Sequence, residues 1–186
     1  MVDSSLSDSQ ELDVLTPMPA LGPALGVRLE SLHARRGQDL FGFARRLGLS
    51  AEDSADAVQE TMLRLWGELA SDTDVRDLDA WAFRTIYHFA VDRHRVGLRL
   101  TALLGRLSSK STAAHTDPVE SAEAAMVWRA VDRLPRRQRA VLYLRYRADM
   151  SFDQIGLAIG VSPSTARSHA TQALAALRRR LGPEEL

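Results

Sequence analysis

Between positions 164 and 169 the chain sets Ser164, Thr165, Arg167, Ser168 and His169 close together. These residue types can read nucleic acid. An arginine can bridge a guanine edge with two hydrogen bonds, and hydroxyls and imidazoles reach bases or phosphates. Arg178 opens a run of three arginines that either touches backbone phosphates or complements a helix C-terminal dipole. A second cluster, Asp56, Gln59 and Glu60, suits a basic or amide-rich partner helix, although spacing alone also fits a solvated helix face. The remaining candidates do not make a reaction site. His88 and Asp92 are four apart, but no third ligand accompanies them. Asp72, Asp74, Asp77 and Asp79 lack the glycine and the terminal glutamate of a calcium loop. No phosphate-cradling glycine loop or nucleophile elbow occurs, so no metal, no cofactor and no enzyme activity is expected.

The elements that must carry these residues are helices. Ser151 and Gln154 form a capping-box pattern, and Gly160 supplies a residue that tolerates a left-handed helix end. Ser162 and Pro163 then start a second helix. A short helix, a glycine turn and a longer basic helix make a helix-turn-helix pattern, whose second helix enters a major groove. Pro135 is expected at the first position of the preceding helix, with Val141, Leu142 and Leu144 in a core. Further back, Ser50 and Asp53 open a helix whose buried stripe reads Ala55, Val58, Met62, Leu65 and Leu69. Another helix is expected from about Leu78 to Val96, with Trp81, Ile86, Phe89 and Ala90 inward. Gly156 lies inside the first helix of the pair, where glycine costs up to about 1 kcal/mol against alanine. That helix is therefore expected to be less stable.

Helix formers dominate and β-branched runs are absent, so the fold class is all-α, with two small helical domains joined by a flexible linker. Residues 1–26 are polar, acidic and then proline-rich, which reads as a disordered tail. Residues 27–97 form the first module, 98–118 a linker and 119–183 the second module. The net charge of zero conceals a segregation. Residues 129–181 hold 11 Arg against 3 acids, whereas residues 1–98 hold 10 Arg against 16 acids. The basic module suits phosphate, and the acidic one suits a protein partner. With no cysteine, disulfides and thiol sensing are excluded. No apolar run approaches a membrane span and no signal pattern opens the chain, so a cytoplasmic protein without membrane insertion is expected.

Three segments carry a family resemblance. EDSADAVQETMLRLW (52–66) resembles the helix by which bacterial sigma factors dock on the clamp helices of the RNA polymerase β′ subunit. WAFRTIYHFAVDRHR (81–95) is similar to the sigma helix that melts and reads the −10 element. LPRRQRAVLYLRY (134–146), followed by SFDQIGLAIGVSPSTARSHATQALAALRRRL, is similar to sigma region 4, which reads the −35 element. Two modules with no domain between them resemble the extracytoplasmic-function group.

The resemblance implies roles. Asp56, Gln59 and Glu60 fall on the family's polymerase-docking core. Arg84, His88, Arg93 and Arg95 become −10 contacts, with His88 where the family usually carries asparagine. Ser164, Thr165, Arg167, Ser168, His169 and Arg178 become −35 contacts. The implied partners are core RNA polymerase, through its β′ clamp helices and β flap, then promoter DNA and an anti-sigma factor. The loop Ser71–Asp79 lies where the family captures a flipped base, yet it is too acidic to name a base-reading residue. Two alternatives come from other classes: a helix-turn-helix regulator of the response-regulator output type, which needs an α/β sensor, and a helical adaptor that binds only proteins.

Overall fold

The computed structural model describes residues 23–71, 73–104 and 122–181. Their order is α1 (Pro23–Arg46), α2 (Ala51–Ala70), α3 (Leu78–Leu104), α4 (Ala122–Val131), α5 (Arg136–Tyr146), α6 (Phe152–Ile159) and α7 (Pro163–Leu181). Among the described residues there is no strand, so the α/β sensor of the regulator alternative is not found in them. The expected disorder of the tail falls on residues 1–22, outside the described residues, apart from the few that α1 takes up.

Local chemistry sets the helix ends. Ser50 Oγ accepts the Asp53 amide at 3.0 Å, and Glu52 and Asp53 place negative charge at the positive end of α2. Asp77 does the same for α3, accepting the Ala80 amide at 2.9 Å. The expected capping box of α6 is formed in both directions, and Gly160 closes the helix at φ 71°. Pro135 stands one position earlier than expected. It is the N-cap of α5, with ψ 144°, rather than its first helical residue. α3 also overruns its expected end at Val96 and continues to Leu104, because Gly97 alone does not stop a helix.

The buried stripe of α2 differs from the expected one. It consists of Ser54, Ala57, Val58, Thr61, Leu65 and Leu69, while Ala55 is exposed and Met62 half-buried. Two hydroxyls pass as core residues because each bonds back along the helix, Ser54 to the Ser50 carbonyl and Thr61 to the Ala57 carbonyl, both at 2.7 Å. On α3 the inward face includes Phe83 and Tyr87 beside Ile86 and Ala90, and Trp81 and Phe89 are half-buried.

The helices α1–α3 and α4–α7 do not stand apart. Leu40, Phe43 and Ala44 of α1, Phe83 and Ile86 of α3, and Val141, Tyr143, Ile155 and Ile159 of α5 and α6 belong to one continuous core. A smaller core joins Ala130, Val131 and Leu134 to Leu142, Ala173 and Leu177. α3 packs along α6, and α1 packs against α5.

Candidate nucleic-acid and protein interfaces

The helix-turn-helix is built as expected. Ser162 Oγ accepts the Thr165 amide at 3.1 Å and caps α7. The hydroxyls of Ser164 and Thr165 lie 2.9 and 2.8 Å from the same oxygen, so both are held at the helix start. Ser164, Thr165, Arg167, Ser168 and Arg178 are exposed. At about 100° per residue, Ser164, Arg167, Ser168 and Arg178 share one face and Thr165 lies at its edge. The Arg167 guanidinium rests over the Phe152 ring at 5.0 Å, and Arg145 covers the same ring at 5.6 Å.

His169 departs from this set. It lies on the flank of the stripe formed by Ala166, Ala170, Ala173 and Leu177. Neither of its ring nitrogens has solvent or a hydrogen-bond partner. Its helical angle turns it about 100° or more away from Arg167, Ser164 and Ser168, toward the helix pair. Gly156 also reads differently from its sequence. A Cβ there would come within 2.7 Å of the Val161 carbonyl oxygen, so the glycine lets the turn close over α6. An alanine would force that turn to shift. Its helix-propensity cost is matched by a packing requirement.

On α3, Arg84, His88 and Arg95 are exposed and lie within about 40° of one another around the helix. Arg93 does not join them. It projects about 180° from Arg84 and donates through Nε to Asp53 at the start of α2, 3.0 Å away. The pairing holds the Asp53 carboxyl below its ordinary range, chiefly through the Arg93 hydrogen bond and then that of Ser50. Asp53 in turn raises the Arg93 guanidinium. Arg93 therefore ties α3 to α2. Helical periodicity alone could have separated it from the other three.

The exposed face of α2 carries Asp56 and Gln59, with Glu60 half-buried and paired to Arg64 at 2.7 Å. Leu63, which the sequence reading missed, lies between Asp56 and Gln59 in helical angle and is 52% exposed. An apolar side chain inside a polar face is a signal the sequence already held. In the second module, Val127, Trp128, Val131, Leu142, Leu174 and Leu177 line an apolar cavity of about 360 Å³, with Tyr146 and Arg178 at its edge. Tyr146 is 60% exposed.

The acidic loop is largely committed to structure. Asp77 caps α3 and also accepts from Gln154 Nε2 at 2.9 Å. Asp79 accepts from Arg36 at 2.7 Å and Arg35 at 3.4 Å. Asp74 lies 3.5 Å from Arg76. Asp77 and Asp79 therefore position helices, whereas the Asp74–Arg76 pair is exposed and local to the loop. No cluster of metal-ligating residues occurs among the described residues, and no helix there is long and apolar enough to cross a membrane.

Comparison with known proteins gives a consistent result. Residues 32–99 match the family model described as Sigma-70 region 2, and residues 124–177 match Sigma-70, region 4. The ECF RNA polymerase sigma factor SigM of Mycobacterium tuberculosis is 30% identical over 154 residues, covering 82% of this chain and 76% of that protein. SigL of the same organism is 28% identical over 155 residues, covering 81% and 86%. Among solved structures, the sigma factor RpoE in complex with the anti-sigma factor NepR from Bartonella quintana aligns with a TM-score of 0.72 at 20% identity, over 84% of this chain and 98% of that one. CnrH in complex with the cytosolic domain of CnrY aligns with a TM-score of 0.58 at 25% identity, over 86% and 90%.

Proposed function

The chain belongs to the sigma-70 family, in its extracytoplasmic-function group, and from that premise we propose which of its residues do the work. It is an alternative sigma factor: it binds core RNA polymerase and directs it to promoters for transcription initiation. It acts by binding, and the nucleotidyl chemistry is the polymerase's. Residues 27–97 serve as region 2 and 119–183 as region 4, with a linker between them. The site of action is the cytoplasm.

Asp56, Gln59 and Glu60, with Leu63 among them, meet the β′ clamp helices. A stiff helix with a polar rim around one exposed leucine fits a partner helix. Arg84, His88 and Arg95 hold the melted −10 strand, and Arg93 orients that helix against α2. Ser164, Thr165, Arg167 and Ser168 enter the −35 major groove, with Arg178 on phosphate. The apolar cavity beside Tyr146 receives the β flap. An anti-sigma protein is a further partner, by analogy with the relatives solved with NepR and with CnrY.

The observation that carries this reading is the separation of three outward faces, on α2, α3 and α7, each with the chemistry its partner needs. The test is a double Gln59→Ala, Glu60→Ala variant in a pull-down with core polymerase. It should lose core binding at least about 30-fold, one hot-spot's worth, while circular dichroism stays unchanged. Wild-type affinity would sink the α2 assignment.

A further inference from the structure

The inward face of α5 begins in arginine. Ala140, Tyr143 and Leu144 are buried along it. Arg136 and Arg139 lie within about 40° of Tyr143 in helical angle, one to two turns nearer the helix start. Both are half-buried. Arg139 comes within range of Arg46, the last residue of α1, and Arg136 within range of Tyr87 and His94 on α3.

These charges are poorly matched. The Nε of Arg139 is buried with no hydrogen-bond partner. The carboxylate that acts on Arg139 is Asp132, which already pairs with Arg46 at 2.9 Å. No carboxylate is among the groups that act on Arg136. Burial is the chief cause that disfavours both charges. Asp132 favours the Arg139 charge, and Arg136 and Arg46 oppose it. Partial desolvation, then the Arg136 charge, holds the His94 imidazole below its ordinary value. The backbone adds to the field. α5 opens at Pro135 with no side-chain cap and no acid in its first turn, so no side chain there offsets the positive end of its dipole.

An inward charge without a partner is costly, and two cations with no carboxylate of their own match a doubly charged anion. An arginine fork can take two phosphate oxygens at once, and amides at a helix start can take another. We propose that Arg136, Arg139 and the start of α5 form a binding site for a phosphate dianion, beside His94 and distinct from the −10 and −35 contacts. Two sources supply that chemistry: a free phosphate or pyrophosphate ion, and the backbone of nucleic acid lying along α3. The site stands on its own geometry, and only the second source rests on the promoter reading above.

The test uses the full chain. Thermal unfolding is followed in sodium phosphate and in pyrophosphate against sodium chloride at equal ionic strength, because salt screens the field. Phosphate also stabilises proteins by exclusion from their surface, so the readout is the difference from an Arg136→Gln, Arg139→Gln variant. That variant loses two half-buried charges and keeps most of the side-chain length. Wild type should show a saturable Tm rise of at least about 4 °C at about 100 times Kd. Calorimetric titration with pyrophosphate should give a Kd that the double variant raises at least about tenfold. Arg139→Lys, which keeps the charge but loses the fork, should raise it by less. Arg179→Gln with Arg180→Gln, at exposed positions of α7, should leave it unchanged. The His94 ring signals should shift in NMR with the same midpoint. Binding to short single-stranded DNA separates the sources. A salt slope lower by about one in the double variant, with pyrophosphate competing, assigns the nucleic-acid backbone; an unchanged slope with saturable pyrophosphate binding assigns the free ion. Equal responses in wild type and the double variant, or no saturable binding together with an unchanged slope, would overturn the site. If wild type binds no single-stranded DNA, the promoter reading fails instead, and the phosphate titrations alone decide the site.

Discussion

Replacing Arg167 with alanine sets two structural effects against each other. In the free protein the guanidinium sits 5.0 Å over Phe152, an exposed cation–π contact of about 0.5–1 kcal/mol. To grip a guanine edge it must leave that ring, and a bidentate base contact is worth about 1–3 kcal/mol. The net loss of −35 affinity is then about 0.5–2 kcal/mol, or roughly 2- to 30-fold in Kd. The free protein should lose no more than the cation–π contact in stability. Fluorescence anisotropy against the selected −35 duplex and a scrambled one, at several salt concentrations, measures the first. Chemical unfolding measures the second. Equal losses on both duplexes, with a salt slope smaller by about one, would mean that Arg167 touches only phosphate. No loss on either would refute the reading of α7. Phe152→Leu is the internal control, because it frees the arginine and should tighten −35 binding slightly.

Leu63→Asp puts a charge in the middle of the α2 face and should weaken core polymerase binding at least about tenfold, while Tm stays within about 2 °C because the side chain is exposed. His169→Leu should stabilise the protein by about 1 kcal/mol, since it removes ring nitrogens that have neither solvent nor partner; a stability loss above 1 kcal/mol would show that the imidazole has a role. The Arg93–Asp53 pair gives a pH signature. The folded carboxyl is depressed, so its contribution is complete above the ordinary Asp value of 3.8 and is lost as pH falls through the lower folded value. The Tm difference between wild type and Asp53→Asn should therefore be flat above about pH 5 and shrink below about pH 4. A difference that grows in acid would contradict the pairing.

The helix-turn-helix was legible because its signals are local. Ser151, Gln154, Gly160, Ser162 and Pro163 each act within four residues, and each does in the structure what its type suggests. Arg93 and His169 lie apart from the other residues of their candidate sets for a different reason. Each has the chemistry of a DNA contact, but helical angle turns one toward Asp53 and the other toward the α7 stripe. On α2, Val58, Leu65 and Leu69 are buried as expected, but Ser54 and Thr61 take the places expected of Ala55 and Met62, because buried hydroxyls do not look apolar in a sequence. The packing of α1 against α5 could not be read at all. Tyr143, Asp39 and Arg46 are ordinary helical residues until the fold lets the Tyr143 hydroxyl donate to the Asp39 carbonyl at 2.9 Å and Arg46 pair with Asp132 at 2.9 Å. Asp77 and Asp79 likewise looked like odd acids in a base-capture loop until their partners Gln154 and Arg36 came into view.

Run-off transcription with purified core polymerase on a genomic promoter library tests the central claim most directly. Adding the chain should produce transcripts whose start sites share a −35 and a −10 motif at fixed spacing. Arg167→Ala should degrade the first motif, and Arg84→Ala combined with His88→Ala the second. Transcripts that appear without the chain, or a folded chain that binds core yet selects no common motif, would contradict it.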